Sequence, residues 1–203
     1  MVHPLFLKTI ASGFSFKNEL RLVFFTFLFT LSLPVLILLT LTNTGITLVS
    51  NKLASIQANT VTLYSPTGKV SAHVPVSRIW PVQGIVTLEF GESDLPYQPF
   101  HTGIDIASKI GDPVTPFMKG KVVFAGEISW GYGKYVVIDH SNNVTSIYAH
   151  LNEISVTKGQ EVQPGDIIGQ EGKTGWATGP HVHFEVRVLG LPVNPRTFIQ
   201  ENP

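Results

Sequence analysis

The sequence predicts an all-β domain, an antiparallel sandwich or open barrel, over residues 79–203, preceded by one N-terminal transmembrane α-helix. Three observations carry this expectation. Short β-branched runs recur between Gly and Pro, a 20-residue run near the N-terminus holds no charge, and one strand-like stretch alternates between imidazoles and apolar side chains.

The β-branched runs define the domain. Ile85-Val86-Thr87-Leu88, Lys121-Val122-Val123-Phe124, Tyr135-Val136-Val137-Ile138 and Asp166-Ile167-Ile168 read as strands. Gly and Pro separate them, and no helical periodicity longer than a few turns intervenes, which is the pattern of an all-β fold.

The alternating stretch is Gly179-Pro180-His181-Val182-His183-Phe184-Glu185-Val186-Arg187-Val188. His181, His183, Glu185 and Arg187 fall on one side of a strand, and Val182, Phe184, Val186 and Val188 on the other. Such a strand is half core and half chemistry. Imidazoles at i and i+2 have Cα atoms roughly 6.5 Å apart, from a rise of about 3.3 Å per residue, so both can face one small space.

The uncharged run spans Leu22 to Leu41, 20 residues, and about 20 apolar residues is what a helix needs to cross a bilayer. Pro34 in its middle is tolerated in such helices. Lys8, Lys17 and Arg21 precede the run and only Lys52 follows closely, so the positive-inside rule keeps residues 1–21 cytoplasmic and the rest outside. A cleaved secretory signal would have a shorter apolar region and a small-residue cleavage site, which Thr42-Asn43-Thr44-Gly45 does not offer. A core helix apolar all round does not suit a compact domain of this size. Residues 42–78, polar and β-branched with a Ser65-Pro66-Thr67-Gly68 turn signal, read as an extracytoplasmic linker with one hairpin across residues 60–74.

Composition then limits the chemistry. The chain has no cysteine, so any metal must be held by His and carboxylate. Residues 78–203 carry nine Lys and Arg against 13 Asp and Glu, a net charge of −4 that argues against nucleic-acid binding. Phe100-His101-Thr102-Gly103-Ile104-Asp105 sets a His and an Asp four apart, and Tyr148-Ala149-His150-Leu151 adds a further imidazole to His181 and His183. Four His and one Asp are too many for a closed tetrahedral zinc site. A catalytic zinc takes three protein ligands and leaves a position for water. Two histidines then remain for that water, the number a hydrolase can use as base and oxyanion stabiliser.

In order along residues 79–195 the chain also carries Trp80-Pro81-Val82-Gln83-Gly84, Phe90-Gly91, His101-Thr102-Gly103-Ile104-Asp105-Ile106-Ala107, Lys119-Gly120-Lys121-Val122 and Gly131-Tyr132-Gly133. Tyr148-Ala149-His150-Leu151, Val162-Gln163-Pro164-Gly165-Asp166, Gly172-Lys173-Thr174-Gly175, the Gly179–Glu185 stretch and Val193-Asn194-Pro195 follow. With these motifs the domain resembles the lysostaphin-type, LytM-like zinc metallo-endopeptidases, which cut the peptide part of bacterial peptidoglycan; the whole chain resembles a membrane-anchored member. The resemblance implies a lysostaphin-like fold with a duplicated hybrid motif. It implies one Zn2+ held by His101, Asp105 and His183, with His150 and His181 as the unligated pair that activates water and stabilises the transition state. It implies hydrolysis of stem peptides or cross-links in peptidoglycan by a single-pass protein of the bacterial cell membrane, its peptidase domain in the wall or periplasm.

The rival function is a non-catalytic scaffold that docks on or activates another wall hydrolase. Family members of that kind usually lose ligands, and all five positions are kept here. A lipoyl or biotinyl carrier module, superficially echoed by Pro113–Val122, would leave the histidines without a role. The chain departs from the family at Glu92-Ser93-Asp94-Leu95-Pro96, near which many relatives carry Arg, and at Ser146, where Thr is frequent. His140 is expected to serve strand-end hydrogen bonding, and His3 and His73 to be exposed. Gly131-Tyr132-Gly133 lacks the third Gly and helix of a dinucleotide fingerprint and reads as a loop rimming the groove. Glu185 is expected either to orient an imidazole or to form a salt bridge near Arg187. Trp130, Tyr132 and Trp176 sit in Gly-rich loops, where exposed aromatics would suit glycan or peptide contact; folding over the core is the commoner case and is the expectation.

Overall fold

The computed structural model describes residues 16–93 and 100–199. Most of the expected cytoplasmic segment, including His3, and residues 94–96 of the departing loop lie outside them. The chain divides into two compact units, Met1–Thr42 and Asn43–Pro203. Helix α1 runs over Phe16–Leu53 and takes in the expected membrane span, although the side chains of residues 34–43 lie outside those described. Among the described residues no helix is long and apolar enough to cross a membrane.

Residues 42–78 form more than a linker. After α1 come β1 (Ala54–Gln57), β2 (Thr60–Tyr64) and β3 (Val70–Pro75), an antiparallel sheet in that order. The expected hairpin is β2–β3. Thr60-Val61-Thr62-Leu63-Tyr64 alternates with period 2, so Val61 and Leu63 share one apolar face that must be covered. Together with Leu53, Ala54 and Val74 they are buried in the same hydrophobic core as the rest of the second unit. Ser77 is stitched in as well, its Oγ donating to the Phe117 carbonyl at 2.7 Å.

The remaining strands are β4 (Ile85–Leu88), β5 (Ile104–Ala107), β6 (Pro113–Val114), β7 (Gly120–Glu127), β8 (Lys134–Asp139), β9 (Val144–Leu151) and β10 (Glu153–Ile154). They continue with β11 (Glu161–Val162), β12 (Gly169–Gln170), β13 (Val182–Val188) and β14 (Leu191–Val193). One large antiparallel sheet has the order β11-β7-β8-β9-β13-β5-β4, with β14 paired to β13, and β10-β12-β6 form a small second sheet. The domain is thus mostly β and antiparallel, as expected. Three of the four expected runs are strands; Asp166-Ile167-Ile168 is not, because pairing begins only at Gly169. Ile168 is nevertheless buried, with its N–H bonded to the Val114 carbonyl at 2.9 Å.

β13 sits inside the large sheet between β9 and β5, which pairs His183 with Ala149 on one side and with Asp105 on the other. Its apolar face behaves as the alternation requires. Val182, Phe184, Val186 and Val188 are buried, and the Phe184 ring lies 5.5 Å from Phe117 and 5.3 Å from Tyr148, centroid to centroid. Leu189 and Gly190, both with positive φ (54° and 79°), make the two-residue turn into β14, a geometry that matches the twist of a hairpin. Phe184→Ala would leave a cavity under the site-bearing strand. It is expected to cost about 3–5 kcal/mol of stability, read as a lower urea midpoint by circular dichroism.

Candidate metal centre

Three elements bring the site together. β13 supplies His183, β5 supplies Asp105, and the loop entering β5 supplies His101. That loop lies against β13 because residue 103 is glycine: a Cβ there would stand 2.3 Å from the Phe184 carbonyl oxygen. His101 Nε2 is 3.0 Å from Asp105 Oδ1 and 2.9 Å from His183 Nδ1, and His183 Nδ1 is 2.8 Å from Asp105 Oδ1.

The outer nitrogens decide which atoms face inward. His101 Nδ1–H donates to the Glu89 carbonyl at 3.1 Å, and His183 Nε2–H donates to Glu185 Oε1 at 3.0 Å. His101 Nε2, His183 Nδ1 and a carboxylate oxygen are therefore left as three acceptors in contact, which only a shared proton or a cation can reconcile. Burial opposes charge on Asp105, but the hydrogen bonds from His101 and His183 outweigh it and hold its carboxyl far below the usual range. Burial likewise opposes charge on His183, yet Asp105 and Glu185 raise it to about 9. The proton so held marks where a metal ion fits. Two imidazoles and one carboxylate are a donor set for a divalent transition metal with an open position.

Glu185 is fully buried and is the hub behind His183. It accepts from Thr102 Oγ1 and Tyr132 Oη, each at 2.6 Å, and from Arg187 Nε at 2.7 Å. Burial opposes its ionisation, but His183 and Arg187 hold its pKa down at about 2. The expected orienting role of Glu185 is met, since one oxygen accepts from His183, while the other pairs with Arg187 of the same strand and not with a residue across the sheet. Thr102 and Tyr132 come from other elements, and nothing in the alternation of β13 points to them.

The other two expected histidines stand across the cleft, with ring centroids 4.8 Å apart. His150 Nδ1–H donates to the Thr174 carbonyl at 2.8 Å and His181 Nδ1–H to the Gly179 carbonyl at 3.0 Å. Each is thereby held in the tautomer whose Nε2 lone pair is available. His181 Nε2 lies 3.5 Å from Asp105 Oδ2. Burial, with the nearby His183 charge, pushes His150 down to about 4, so it is neutral at pH 7. His150 also has a φ of 62°, a left-handed conformation costing about 1–3 kcal/mol that is stored at functional sites. All five expected site residues line one cleft of about 390 Å³, with Tyr132, Trp130 and Trp176 at its wall and rim.

Residues assigned other roles are placed apart from it. His140 Nδ1–H donates to the Lys119 carbonyl at 2.8 Å and its Nε2 is 2.7 Å from Ser146 Oγ, so strand-end bonding is what it does. The hydroxyl kept at Ser146 is thus used. His73 is exposed. Trp130 and Trp176 do not fold over the core: both are exposed.

The fold and site thus define a β domain with a His/Asp/His group that could hold a metal ion and two further imidazoles lining the same cleft. Residues 99–195 match Peptidase family M23, and the chain belongs to this family. The chain is 47% identical over 95 residues to the DD-carboxypeptidase/endopeptidase Mpg of Neisseria meningitidis, covering 47% of this chain and 22% of that protein. It is 35% identical over 150 residues to the murein hydrolase activator NlpD of Salmonella dublin, covering 73% of this chain and 38% of that protein. The chain thus spans between about a fifth and two fifths of these relatives. Among solved structures, the catalytic domain of the prophage-encoded M23 protein EnpA from Enterococcus faecalis is similar, with a TM-score of 0.52 and 37% identity over 56% of this chain and 90% of that one. Relatives therefore include both endopeptidases and an activator of wall hydrolases.

Two outcomes follow from the donor set. Because His183 must give up a proton held up to about 9, metal affinity should rise by about tenfold per pH unit across the neutral range and level off above it, measured by competition with a chromophoric chelator. Glu185→Gln should lower the affinity by about 10–100-fold at fixed pH, in the same assay.

Proposed function

We propose that this chain is a cell-wall zinc metallo-endopeptidase that hydrolyses peptide bonds in peptidoglycan stem peptides or cross-links. The observation that carries the reading is the complete set: His101, Asp105 and His183 placed so that they could hold a metal ion, with the rings of His150 and His181 lining the same cleft. Zinc bound there would supply a water acidic enough to ionise near pH 7 and a Lewis acid for the scissile carbonyl.

The chain's own residues handle the protons. One of the two Nε2 atoms accepts a proton from the attacking water, and an imidazolium of the pair stabilises the oxyanion and returns the proton to the leaving amine. The Thr174 and Gly179 carbonyls keep both rings in the tautomer this needs. Glu185 keeps His183 aimed at the ligand triangle. The Leu22–Leu41 run serves as a single-pass anchor with its N-terminus in the cytoplasm, keeping the domain outside, next to the growing wall.

The second reading is an activator of another wall hydrolase, favoured by the similarity to NlpD. The two diverge in one assay. Zinc-loaded protein incubated with purified peptidoglycan should release new peptide termini, identified by mass spectrometry, that vanish with a chelator and with His150→Ala. Intact peptidoglycan at stoichiometric zinc would favour the activator. Among variants, His183→Ala should abolish zinc binding. His181→Ala should keep the metal and lose activity by about a hundredfold to ten-thousandfold, measured as initial rates on the same substrate.

A further inference from the structure

Two tryptophans at the mouth of the cleft have no part in the chemistry above. Trp130 and Trp176 retain 62% and 55% of their surface exposed, which is costly for side chains of this size in water. Their ring centroids are 6.1 Å apart and their planes tilted by 48°, so the indoles are neighbours without being closed face to face.

Their placement is built into the backbone. The Trp176 N–H donates to the Gly131 carbonyl at 2.9 Å, tying the loop of one tryptophan to the loop of the other. The two loops approach so closely that a Cβ on Gly175 would stand 2.2 Å from the Gly131 oxygen, and one on Gly133 would stand 2.5 Å from the Gly175 nitrogen. Gly131, Gly133 and Gly175 all have positive φ, which glycine adopts without cost. The pair is thus a preorganised surface, continuous with the cleft that holds the five site residues.

We infer that Trp130 and Trp176 form a saccharide-stacking platform, which holds an N-acetylated sugar of the glycan strand while the attached peptide lies in the cleft. The inference rests on the reading of the chain as a peptidoglycan endopeptidase. The cleft lining among the described residues contains no Lys or Arg, so outside the histidine centre no cation stands there to pair with a stem-peptide carboxylate. A neutral pyranose offers instead the flat C–H face and acetyl methyl group that indoles cover, and its hydroxyls stay in water.

The test uses the full chain, stripped of metal by chelator, and intrinsic tryptophan fluorescence; the third tryptophan, Trp80, is buried. The probes are chitin oligosaccharides, which carry no peptide, and a stem peptide that carries no sugar. The saccharide should change the emission saturably and the free peptide should not. In W130A/W176A the saccharide affinity should fall at least about tenfold, with the metal affinity of each variant unchanged as a check on folding. On intact peptidoglycan the double variant should show a raised KM at nearly unchanged kcat, and a smaller rise in KM on a sugar-free peptide substrate. Equal saccharide affinity in the double variant, no saccharide response, or a response to the stem peptide alone would overturn the platform. Saccharide binding by a protein that cleaves nothing when zinc-loaded would overturn the endopeptidase reading and leave the platform in place.

Discussion

At the centre of the cleft, His101 Nε2, His183 Nδ1 and Asp105 Oδ1 stand 2.8–3.0 Å from one another. Three acceptors at that separation repel unless a proton or a cation lies among them, and here the outer hydrogen bonds to Glu89 and Glu185 prevent the imidazoles from turning their N–H groups inward. Much of the surrounding structure can be understood as holding this arrangement. The antiparallel register sets His183 opposite Asp105, Gly103 allows the His101 loop to lie on β13, and the core beneath Phe184 keeps the strand from shifting. A slip of one residue in that register would carry His183 into the core and Phe184 into the cleft.

The second pair of imidazoles is governed differently. The Nδ1–H groups of His150 and His181 donate to backbone carbonyls instead of carboxylates. Burial then keeps His150 neutral. Four histidines within one small cleft are thus divided by their partners into two whose inner nitrogens meet Asp105 Oδ1 and two whose Nδ1–H groups are fixed by backbone carbonyls. This division is the same whether the site ultimately cuts a peptide or only binds one, and it explains how near-identical side chains can take unlike roles.

The network around Glu185 ties the wall of the cleft to the ligand behind it. Tyr132 lies on a loop, but its hydroxyl meets a buried carboxylate that also holds His183 and Arg187. Burial, with the Glu185 charge beside it, holds the Tyr132 phenol well above its ordinary value, so it remains a donor. A buried carboxylate with every oxygen occupied is stable only while all its donors are present. The loop carrying Tyr132, and with it Trp130, is therefore tied to the order of His183.

The sequence by itself determined the parts governed by period and residue type. The alternation around His183 separates core from chemistry, the lack of cysteine restricts any metal to His and carboxylate, and the order of motifs marks the family. Those features survive because a strand has only two faces and a metal accepts only a few ligand types. Tertiary structure decided whatever depends on residues far apart in the chain. The outer partners of the imidazoles, the left-handed backbone at His150 and the exposure of Trp130 and Trp176 have no local signature. The same holds for residues 42–78: a short polar alternation looks the same in a tether and in a packed hairpin, and only the burial of Val61, Leu63 and Val74 in the common core distinguishes them. Period is a property of neighbours in sequence, whereas a hydrogen-bond partner or a covering surface is supplied by whichever segment the fold brings near.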